Sequence, residues 1–177
     1  MHLFETDRLF VRPLSHLDLP SLTQILSDPD VMRYSVGGVC DEARTLKFID
    51  WCQACYESHG VGPWALVDKN SSNLIGFCGV GPEKLGDVEA FNLGYRLGTQ
   101  YWGNGLATEA ARAALKYAFE QTQIDSVVVI IEPDHGASLR VAEKAGFHQF
   151  ETRDFHGRPV RLYRLTRADW DGLYRRE

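Results

Sequence analysis

The spacing of apolar and polar residues predicts strands and helices that alternate along the whole chain. Apolar and basic residues alternate over Arg8–Arg12, which is typical of a half-buried strand. Ser15 can cap a helix of about 12 residues that ends before Asp28-Pro29. The apolar members of this helix are Leu19, Leu22, Ile25 and Leu26. A loop over Val31–Cys40 then leads to a second helix over Asp41–Ser58, with the aspartate as its cap.

The middle of the chain has the pattern of a β-hairpin. Strands are predicted over Trp64–Asp68 and Leu74–Val80, and the polar segment Lys69–Asn73 joins them. Gly81-Pro82 is expected to end the second strand, because proline cannot donate a backbone hydrogen bond. We expect Glu83–Asp87 to form a polar turn before the next strand.

The next stretch combines a strand, a glycine loop and a helix. Phe91–Leu97 has strand character, and Gly98–Gly105 holds three glycines in eight residues. From Leu106 the pattern becomes helical, with an apolar stripe formed by Ala107, Ala111, Ala114 and Ala118. The first N–H groups of a helix lack internal partners and carry partial positive charge, and glycine allows a ligand to approach the backbone. This stretch is therefore predicted to bind the phosphate groups of a cofactor.

The last third of the chain predicts the remaining elements of an α/β fold. Ile124–Ile131 is almost continuously β-branched, as expected for a strand buried on both faces. Ala137–Ala145 is a predicted short helix that ends at glycine. A final hairpin is predicted over Phe147–Phe155 and Val160–Leu165, followed by a helical turn within Arg167–Arg176. Because the sequence shows no repeat and no linker, the chain (residues 1–177) is predicted to be one domain. Its order of strands and helices predicts an α/β fold with a mixed sheet.

Composition narrows the functional classes. The chain has 177 residues, is 44% hydrophobic and carries a formal net charge of −5, which argues against a general nucleic-acid binder. No apolar run reaches the roughly 20 residues that span a bilayer, and Met1–Phe10 lacks the order of a signal peptide. Four cysteines in a chain of this length do not suggest a disulfide framework. We therefore expect a cytoplasmic protein that binds neither nucleic acid nor membrane.

The motif residues resemble a known family. Gln100–Gly105 (QYWGNG) fits Q/R-x-x-G-x-G/A, the coenzyme-binding motif of the GNAT superfamily of acetyltransferases. The chain resembles the Rim-type branch, which acetylates the α-amino groups of ribosomal proteins, and the resemblance covers roughly residues 5 to 170. It also rests on an ordered set of short matches, namely ETDRL (5–9), RPL (12–14), WALV (64–67), LIGF (74–77), GY (94–95), ATEA (107–110), Ser138, Lys144, GF (146–147) and DW (169–170).

The resemblance implies a fold, a cosubstrate and a reaction. The implied GNAT fold has a mixed sheet of about seven strands, flanked by helices and splayed between the fourth and fifth strands. The implied reaction moves acetyl from acetyl-CoA to a primary amine, most simply a protein N-terminal α-amine, by direct attack in a ternary complex without a metal. The expected coenzyme-binding residues are Leu97, Gln100, Gly103, Asn104, Gly105, Leu106, Ala107, Thr108, His135 and Ser138. Backbone N–H groups near Leu97 are expected to polarise the acetyl carbonyl.

The sequence indicates the catalytic side chains less directly than the coenzyme-binding residues. Ser138 matches the serine that is proposed in the family to protonate the departing thiolate, and His135 replaces the family asparagine three residues earlier. Glu132 and Glu89 are the candidate bases, because Asn92 stands where relatives often carry an acidic residue. The expected walls of the acceptor pocket are Tyr34, Trp64 and Phe155.

Other interpretations remain open or weaker. A small-molecule amine is the alternative acceptor, and a non-catalytic CoA-binding module is the alternative function. Trp51-Cys52-Gln53-Ala54-Cys55 resembles a thioredoxin motif, but it lies inside a predicted helix rather than at a helix N-terminus. The six histidines show no metal-ligand spacing. The pattern leaves the oligomeric state open between monomer and homodimer.

Overall fold

A computed structural model describes residues 2–174 and shows a mixed β-sheet with helices packed on both faces. The strands are β1 (Phe4–Glu5), β2 (Leu9–Arg12), β3 (Pro63–Asp68), β4 (Leu74–Leu85), β5 (Val88–Leu97), β6 (Ser126–Ile131), β7 (Phe150–Phe155) and β8 (Arg158–Thr166). The helices are α1 (Leu19–Leu26), α2 (Glu42–His59), α3 (Leu106–Gln121), α4 (Gly136–Ala145) and α5 (Arg167–Tyr174). Within this described part, no helix has both the length and the apolar character needed to cross a membrane.

The sheet is divided by a gap between two parallel strands. The strand order is β1-β2-β3-β4-β5-β6-β8-β7, and every neighbouring pair is antiparallel except β5 and β6. These two strands are aligned only at Asn92 and Val128, so they diverge beyond that point. They correspond to the fourth and fifth strands of the sequence prediction, and the predicted splay is confirmed.

Each face of the sheet has its own hydrophobic core. Helix α3 packs on one face through small and large apolar residues, which are Leu106, Ala110, Ala111, Ala114, Leu115, Ala118 and Phe119. On the other face, α1 and α2 cover Ala65 and Phe77 with Leu22, Leu26 and Ile49. Because successive strand residues point to opposite faces, a residue of β5 contributes either to the α3 side or to the α1/α2 side.

The predicted helix caps are confirmed. The Ser15 hydroxyl accepts a hydrogen bond from the Leu17 N–H at 3.2 Å, and the Asp18 carboxylate accepts one from the Ser15 N–H at 2.9 Å. Asp41 caps α2 by accepting from the Arg44 N–H at 2.8 Å. The caps satisfy N–H groups that the helices leave unpaired.

The predicted polar turn at Glu83–Asp87 is wrong. The β4–β5 ladder continues as far as Leu85 opposite Val88, and the chain turns at Gly86-Asp87, where Gly86 has φ +63°. Buried contacts of Leu85 with the neighbouring strands keep this segment in the sheet. Pro82 fits because it stands in a non-hydrogen-bonded pair of the ladder and lies beyond the end of β3, so its missing N–H is not needed.

Other element boundaries also differ from the prediction. The short strand β1 was not predicted and brings the sheet to eight strands. A 3-10 turn over His16–Asp18 precedes α1, which shortens the α-helix to Leu19–Leu26. Strand β7 begins at Phe150 because Phe147 is buried in the main core instead. The last two residues of the predicted Arg167–Arg176 helix lie outside the described residues.

Candidate active site

The loop between β5 and α3 presents backbone N–H groups at the start of a long helix. Gly103 and Gly105 have φ +77° and +78°, a conformation that residues with a Cβ rarely adopt. Gly105 is the N-cap of α3 and offers no side chain to its first N–H groups. Arg8 holds the loop by donating to the Asn104 carbonyl at 2.7 Å. The predicted cradle therefore has the geometry of an anion site, with Gln100 exposed beside it.

Glu109 fixes the first turns of α3 to the N-terminal strands. Its carboxylate accepts from the Thr6 hydroxyl at 2.6 Å, the Arg8 N–H at 3.1 Å and Arg8 Nε at 2.9 Å. Burial acts to raise the pKa of Glu109, but the hydrogen bonds from Thr6 and Arg8 outweigh it and lower the pKa. Glu109 is thus a structural anion, because its oxygens are occupied by three donors.

A broad cleft runs along the exposed side of α3 next to this cradle. Its volume is about 710 Å³, and its lining includes Gly105, Thr108, Arg112 and Lys116. Arg112, which donates to the Lys144 carbonyl at 2.9 Å, and Lys116 are both exposed cations of this helix face, and the acidic residues Asp7, Glu109 and Glu120 also line the cleft. The cleft has the size of a ligand pocket and opens beside the helix N-terminus, where an anion is favoured.

The backbone of β5 alternates between pairing with β4 and facing the gap. The Gly98 N–H donates to the Ile75 carbonyl at 2.9 Å, and the β4–β5 register has no shift. Since antiparallel partners alternate between bonded and non-bonded pairs, the N–H and C=O of Arg96 also point toward β4. Those of Tyr95 and Leu97 point the opposite way, into the gap toward β6.

Two side-chain contacts agree with this direction. Arg96 Nη1 donates to the Tyr95 carbonyl, and Trp102 Nε1 donates to the Leu97 carbonyl, each at 2.9 Å. The N–H groups of Tyr95 and Leu97 lie on the same edge of the strand. They can donate to an extended ligand or to a carbonyl oxygen placed in the gap, as the sequence predicted for the backbone near Leu97.

The hydroxyl groups of Tyr95 and Ser138 meet across the gap. Tyr95 Oη lies 2.7 Å from Ser138 Oγ and 3.1 Å from the Ser138 carbonyl oxygen. Burial raises the pKa of Tyr95 to about 12. The phenol is therefore protonated at physiological pH and can act as a donor. Tyr95 was not among the predicted site residues, although its place in the Gly94-Tyr95 pair was a usable signal.

His135 and Tyr34 form the next part of the site. Their rings stack with centroids 4.1 Å apart and planes 12° from parallel, and the Tyr34 hydroxyl donates to the Asp134 carbonyl at 3.2 Å. Burial, together with the positive charge of Arg96, lowers the pKa of His135 to about 4. The imidazole is therefore neutral at physiological pH. The structure brings Tyr34, His135 and Ser138 to the same end of α4.

The two glutamates predicted as bases have different surroundings. Glu132 ends its strand in an ion pair with Arg158, at 2.9 Å from oxygen to Nη1. Glu89 is exposed near the tip of the β4–β5 hairpin, opposite Lys84. It stands six residues from Tyr95 along β5, which is about 20 Å at the rise of an extended strand. The structure does not bring Glu89 to the Tyr95–Ser138 contact.

A third glutamate was missed by sequence analysis. Glu83 accepts a hydrogen bond from the Asn92 side chain, and burial raises its pKa. The Asn92 Oδ1 atom is buried and has no hydrogen-bond partner among the described residues. Asn92 is also the point where β5 and β6 are aligned. Glu83 was overlooked because its segment was predicted to be a turn, whereas β4 carries it to the start of the gap.

Trp64 and Phe155, the other predicted pocket walls, are not brought to Tyr34. Trp64 is 1% exposed on the α3 side of the sheet, where its ring packs edge-on against Phe4 and Tyr117. Phe155 lies near the β7–β8 turn and contacts the His156 ring, with centroids 4.4 Å apart. The structure therefore assembles only Tyr34 of these three next to the residues of α4.

The described residues support neither a redox-active cysteine pair nor a metal site. Cys52 and Cys55 are buried in α2, and burial raises the pKa of both thiols. A reactive thiol needs the opposite shift. Within residues 2–174, no three His, Cys, Asp or Glu side chains are grouped so that they could hold a metal ion.

Comparison with known proteins identifies the family. The acetyltransferase (GNAT) domain family matches residues 8–148, so the chain belongs to the GNAT acetyltransferases and is an acyltransferase. The uncharacterized protein YkkB of Bacillus subtilis (strain 168) is 36% identical over 159 residues, which are 89% of this chain and 92% of that protein. The FsC-acetyl coenzyme A-N(2)-transacetylase of Aspergillus fumigatus is 26% identical over 181 residues, covering 93% of this chain and 76% of that protein.

A solved structure shares the fold. AAC(6′)-Ib, in complex with paromomycin and acetyl-CoA, superimposes with a TM-score of 0.78 over 95% of this chain and 98% of that chain. Its sequence identity is 18%, so the likeness concerns the arrangement of strands and helices. The predicted GNAT fold is confirmed, with eight strands where about seven were expected.

Proposed function

We propose that this protein transfers an acetyl group from acetyl-CoA to a primary amine within a ternary complex. The observation that carries the proposal is the continuity of two features, the uncapped N-terminus of α3 and the gap between β5 and β6. The first suits a diphosphate, and the second suits an extended arm that ends at the Tyr95–Ser138 contact. Family membership and the acetyl-CoA named in the AAC(6′)-Ib complex support the same cosubstrate.

The coenzyme contacts follow from this arrangement. The diphosphate is held by N–H groups of the segment from Gly103 to Thr108, with Gln100 at its edge. The positive φ of Gly103 and Gly105 supports this assignment, since it directs the backbone toward the ligand. The arm lies beside Leu97, and His135 and Ser138 contact its thiol end. Bound acetyl-CoA supplies an activated acetyl group as a thioester.

The residues of the chain then have distinct chemical roles. The N–H groups of Tyr95 and Leu97 donate to the acetyl oxygen, as in an oxyanion hole. Ser138, backed by the protonated hydroxyl of Tyr95, supplies the proton that the sulfur needs on departure. Glu83, whose pKa is raised by burial, accepts a proton from the incoming amine through water, because it stands opposite Ala90, five residues from Tyr95 along β5. Holding the reactants in line supplies about 7–11 kcal/mol, more than any one of these groups.

The preferred acceptor is a protein N-terminal α-amine. The Rim-type resemblance supports it, and so does chemistry, because an α-amine has a pKa of about 7.7–8.0 and is partly neutral at physiological pH. A small-molecule amine is the second candidate acceptor. The relative from Aspergillus fumigatus, by its name, is a transacetylase that uses acetyl coenzyme A.

An acceptor screen tests the proposal. The purified protein is incubated with acetyl-CoA and a panel of peptide N-termini, amino acids, polyamines and aminoglycosides, while CoA release and product mass are followed. An acetylated amine supports the enzyme, and the best acceptor separates peptide from small molecule. Tight CoA binding without turnover on any acceptor would instead support a non-catalytic CoA-binding module.

A further inference from the structure

Arg96 is a cation of the gap that has no acidic partner. It follows Tyr95 on β5, and its side chain lies on the α1/α2 side of the sheet, opposite Phe77 of β4. The one hydrogen bond of its side chain to the described residues runs from Nη1 to the Tyr95 carbonyl at 2.9 Å. No carboxylate of residues 2–174 forms an ion pair with it. The Nε and Nη2 hydrogens therefore remain available.

The two acids at the ends of the gap, Glu132 after β6 and Glu83 on β4, are bonded to residues other than Arg96. Glu132 is paired with Arg158 at 2.9 Å, and Glu83 accepts from Asn92. Burial lowers the pKa of Arg96, whose side chain has only the Tyr95 carbonyl as a hydrogen-bond partner among residues 2–174. A desolvated, unpaired charge is unfavourable for folding. An arginine in this position therefore calls for a partner that the chain itself does not provide.

The face of β5 that carries Arg96 has open space beside Gly94. Asn92, Gly94 and Arg96 share one face of β5 because they are two residues apart. A Cβ built on Gly94 would meet no atom within 4 Å, so a ligand can lie along the strand between Asn92 and Arg96. His135 is close enough to Arg96 for the guanidinium charge to help lower the pKa of the imidazole. The site is thus bounded by the neutral imidazole, the guanidinium and the bare backbone of Gly94.

We propose that Arg96 binds a carboxylate of the acceptor, so that this enzyme prefers amines that carry a carboxylate near the amino group. The proposal rests on the acetyltransferase function proposed above. A guanidinium presents parallel N–H groups that match the two oxygens of a carboxylate. The phosphates of the coenzyme are assigned to the N-terminus of α3, which packs on the opposite face of the sheet. The carboxylate belongs either to an acidic residue near a peptide N-terminus or to a free amino acid.

Pairs of acceptors that differ only in a carboxylate test whether the enzyme prefers carboxylate-bearing amines. One pair consists of C-terminally amidated peptides that differ only by glutamate or glutamine at the second position. The other pair consists of an amino acid and its carboxamide. We expect kcat/KM to be higher for the carboxylate in at least one pair by about 10-fold or more, the effect of a hydrogen bond to a charged group. The pair with the larger preference identifies the source of the carboxylate.

Variants connect the preference to Arg96. Arg96→Gln should lower kcat/KM for the carboxylate acceptor to the level of its neutral partner. The readout is the ratio of the two kcat/KM values, because Arg96 also bonds to the Tyr95 carbonyl and its loss lowers the rate for both acceptors. Arg96→Lys should retain part of the preference, since it keeps the charge but loses the fork. Arg164→Gln, at an exposed position of β8, is the control and should leave the preference intact.

The outcomes separate this inference from the function on which it rests. Equal kcat/KM within both pairs for the unmodified enzyme would overturn the inference while leaving the acetyltransferase in place. A weaker Kd for acetyl-CoA in Arg96→Gln, with the carboxylate preference retained, would also overturn it and assign Arg96 to the coenzyme. Failure to acetylate any amine would overturn both proposals.

Discussion

The hydroxyl of Tyr95 lies 2.7 Å from the hydroxyl of Ser138 and joins the two sides of the gap in the sheet. Tyr95 belongs to β5, whereas Ser138 lies in the first turn of the helix that follows β6. Beyond the aligned pair Asn92 and Val128 the strands have no backbone pairing, so this contact between side chains bridges the space. A proton shared by these hydroxyls is available where we propose that the thioester reacts.

Removing the serine hydroxyl should therefore reduce turnover. We expect Ser138→Ala to lower kcat by about 10²-fold, the lower end for a lost general acid, and to change the KM for acetyl-CoA little. Tyr95→Phe should lower kcat as well, and the double variant should be no worse than the stronger single variant, because the two groups act as a unit. Ser27→Ala, at the end of α1, is the control. Unchanged turnover in Ser138→Ala would remove this residue from the mechanism.

The glycine at the start of α3 should control coenzyme affinity. Gly105→Val introduces a β-branched residue at φ +78° and places side-chain atoms over the cradle. We expect the Kd for acetyl-CoA, measured by calorimetry, to rise by about 10-fold or more, because the N–H groups lose their approach.

Gly60→Val is the matched control, since Gly60 has φ +71° and open space around it at the end of α2. Both variants should lose at least about 1–2 kcal/mol in the free energy of unfolding from backbone strain. Only Gly105→Val should weaken binding. Equal affinity for acetyl-CoA in the two variants would contradict the location of the cradle.

The carboxylate of Glu109 is expected to stabilise the folded protein in a pH-dependent way. Its pKa is lowered in the folded protein, so its stabilisation is present above the ordinary value of about 4.3 and disappears as the pH falls through the lower folded value. We expect Glu109→Gln to lose about 1 kcal/mol of unfolding free energy at pH 7, given the partly exposed Arg8 partner. The difference from the unmodified protein should shrink steadily below about pH 4.

Urea unfolding at several pH values measures this effect. Glu120→Gln, at the exposed far end of the same helix, should show no such dependence. If the unfolding free energies of Glu109→Gln and the unmodified protein differ by the same amount from pH 7 to pH 3, the charge of the carboxylate does not contribute to stability. The substitution would then have changed only packing.

Because the imidazole of His135 is neutral, we expect it to leave the pH dependence of kcat unchanged near neutral pH. With a pKa of about 4, the ring does not ionise between pH 5 and pH 8, so it should not produce an inflection in kcat over that range. We expect His135→Asn to keep the shape of the profile, because an amide can replace a neutral donor. His135→Ala should raise the KM values for acetyl-CoA and for the acceptor about 2- to 10-fold, because the ring is assigned to the thiol end of the coenzyme and stacks on Tyr34. NMR titration that shows His135 protonating near pH 6.5 would contradict this account.

Three glutamates can be ranked as candidate bases by substitution. Glu83→Gln should lower kcat/KM by about 10²-fold and remove the acidic limb of its pH profile, because the raised pKa poises this carboxylate for proton transfer. Glu89→Gln should have little effect, because Glu89 is exposed beside the hairpin tip. Glu132→Gln should act mainly on stability through Arg158. A dominant loss in Glu132→Gln, with normal folding, would restore Glu132 as the base.

The sequence predicted those features that local chemistry dictates. The caps at Ser15 and Asp41, the glycine loop before α3 and the buried strand β6 follow from short-range patterns, and the structure confirms them. Glu83 could not be found in this way, because Gly81-Pro82 normally ends a strand and only the partners of Leu85 in the folded sheet extend it. The burial of Trp64 and the contact of Tyr95 with Ser138 depend on pairings between distant segments, which no local pattern encodes.

The single aligned pair between β5 and β6 leaves the facing backbone groups of these strands beyond that pair without a strand partner in the described residues. Amide hydrogens along that edge should exchange quickly with solvent in the free protein, since no neighbouring strand protects them. A pantetheine arm lying there would complete the missing ladder. The coenzyme would then act as a removable ninth strand, and its presence would slow hydrogen exchange on both flanks at once.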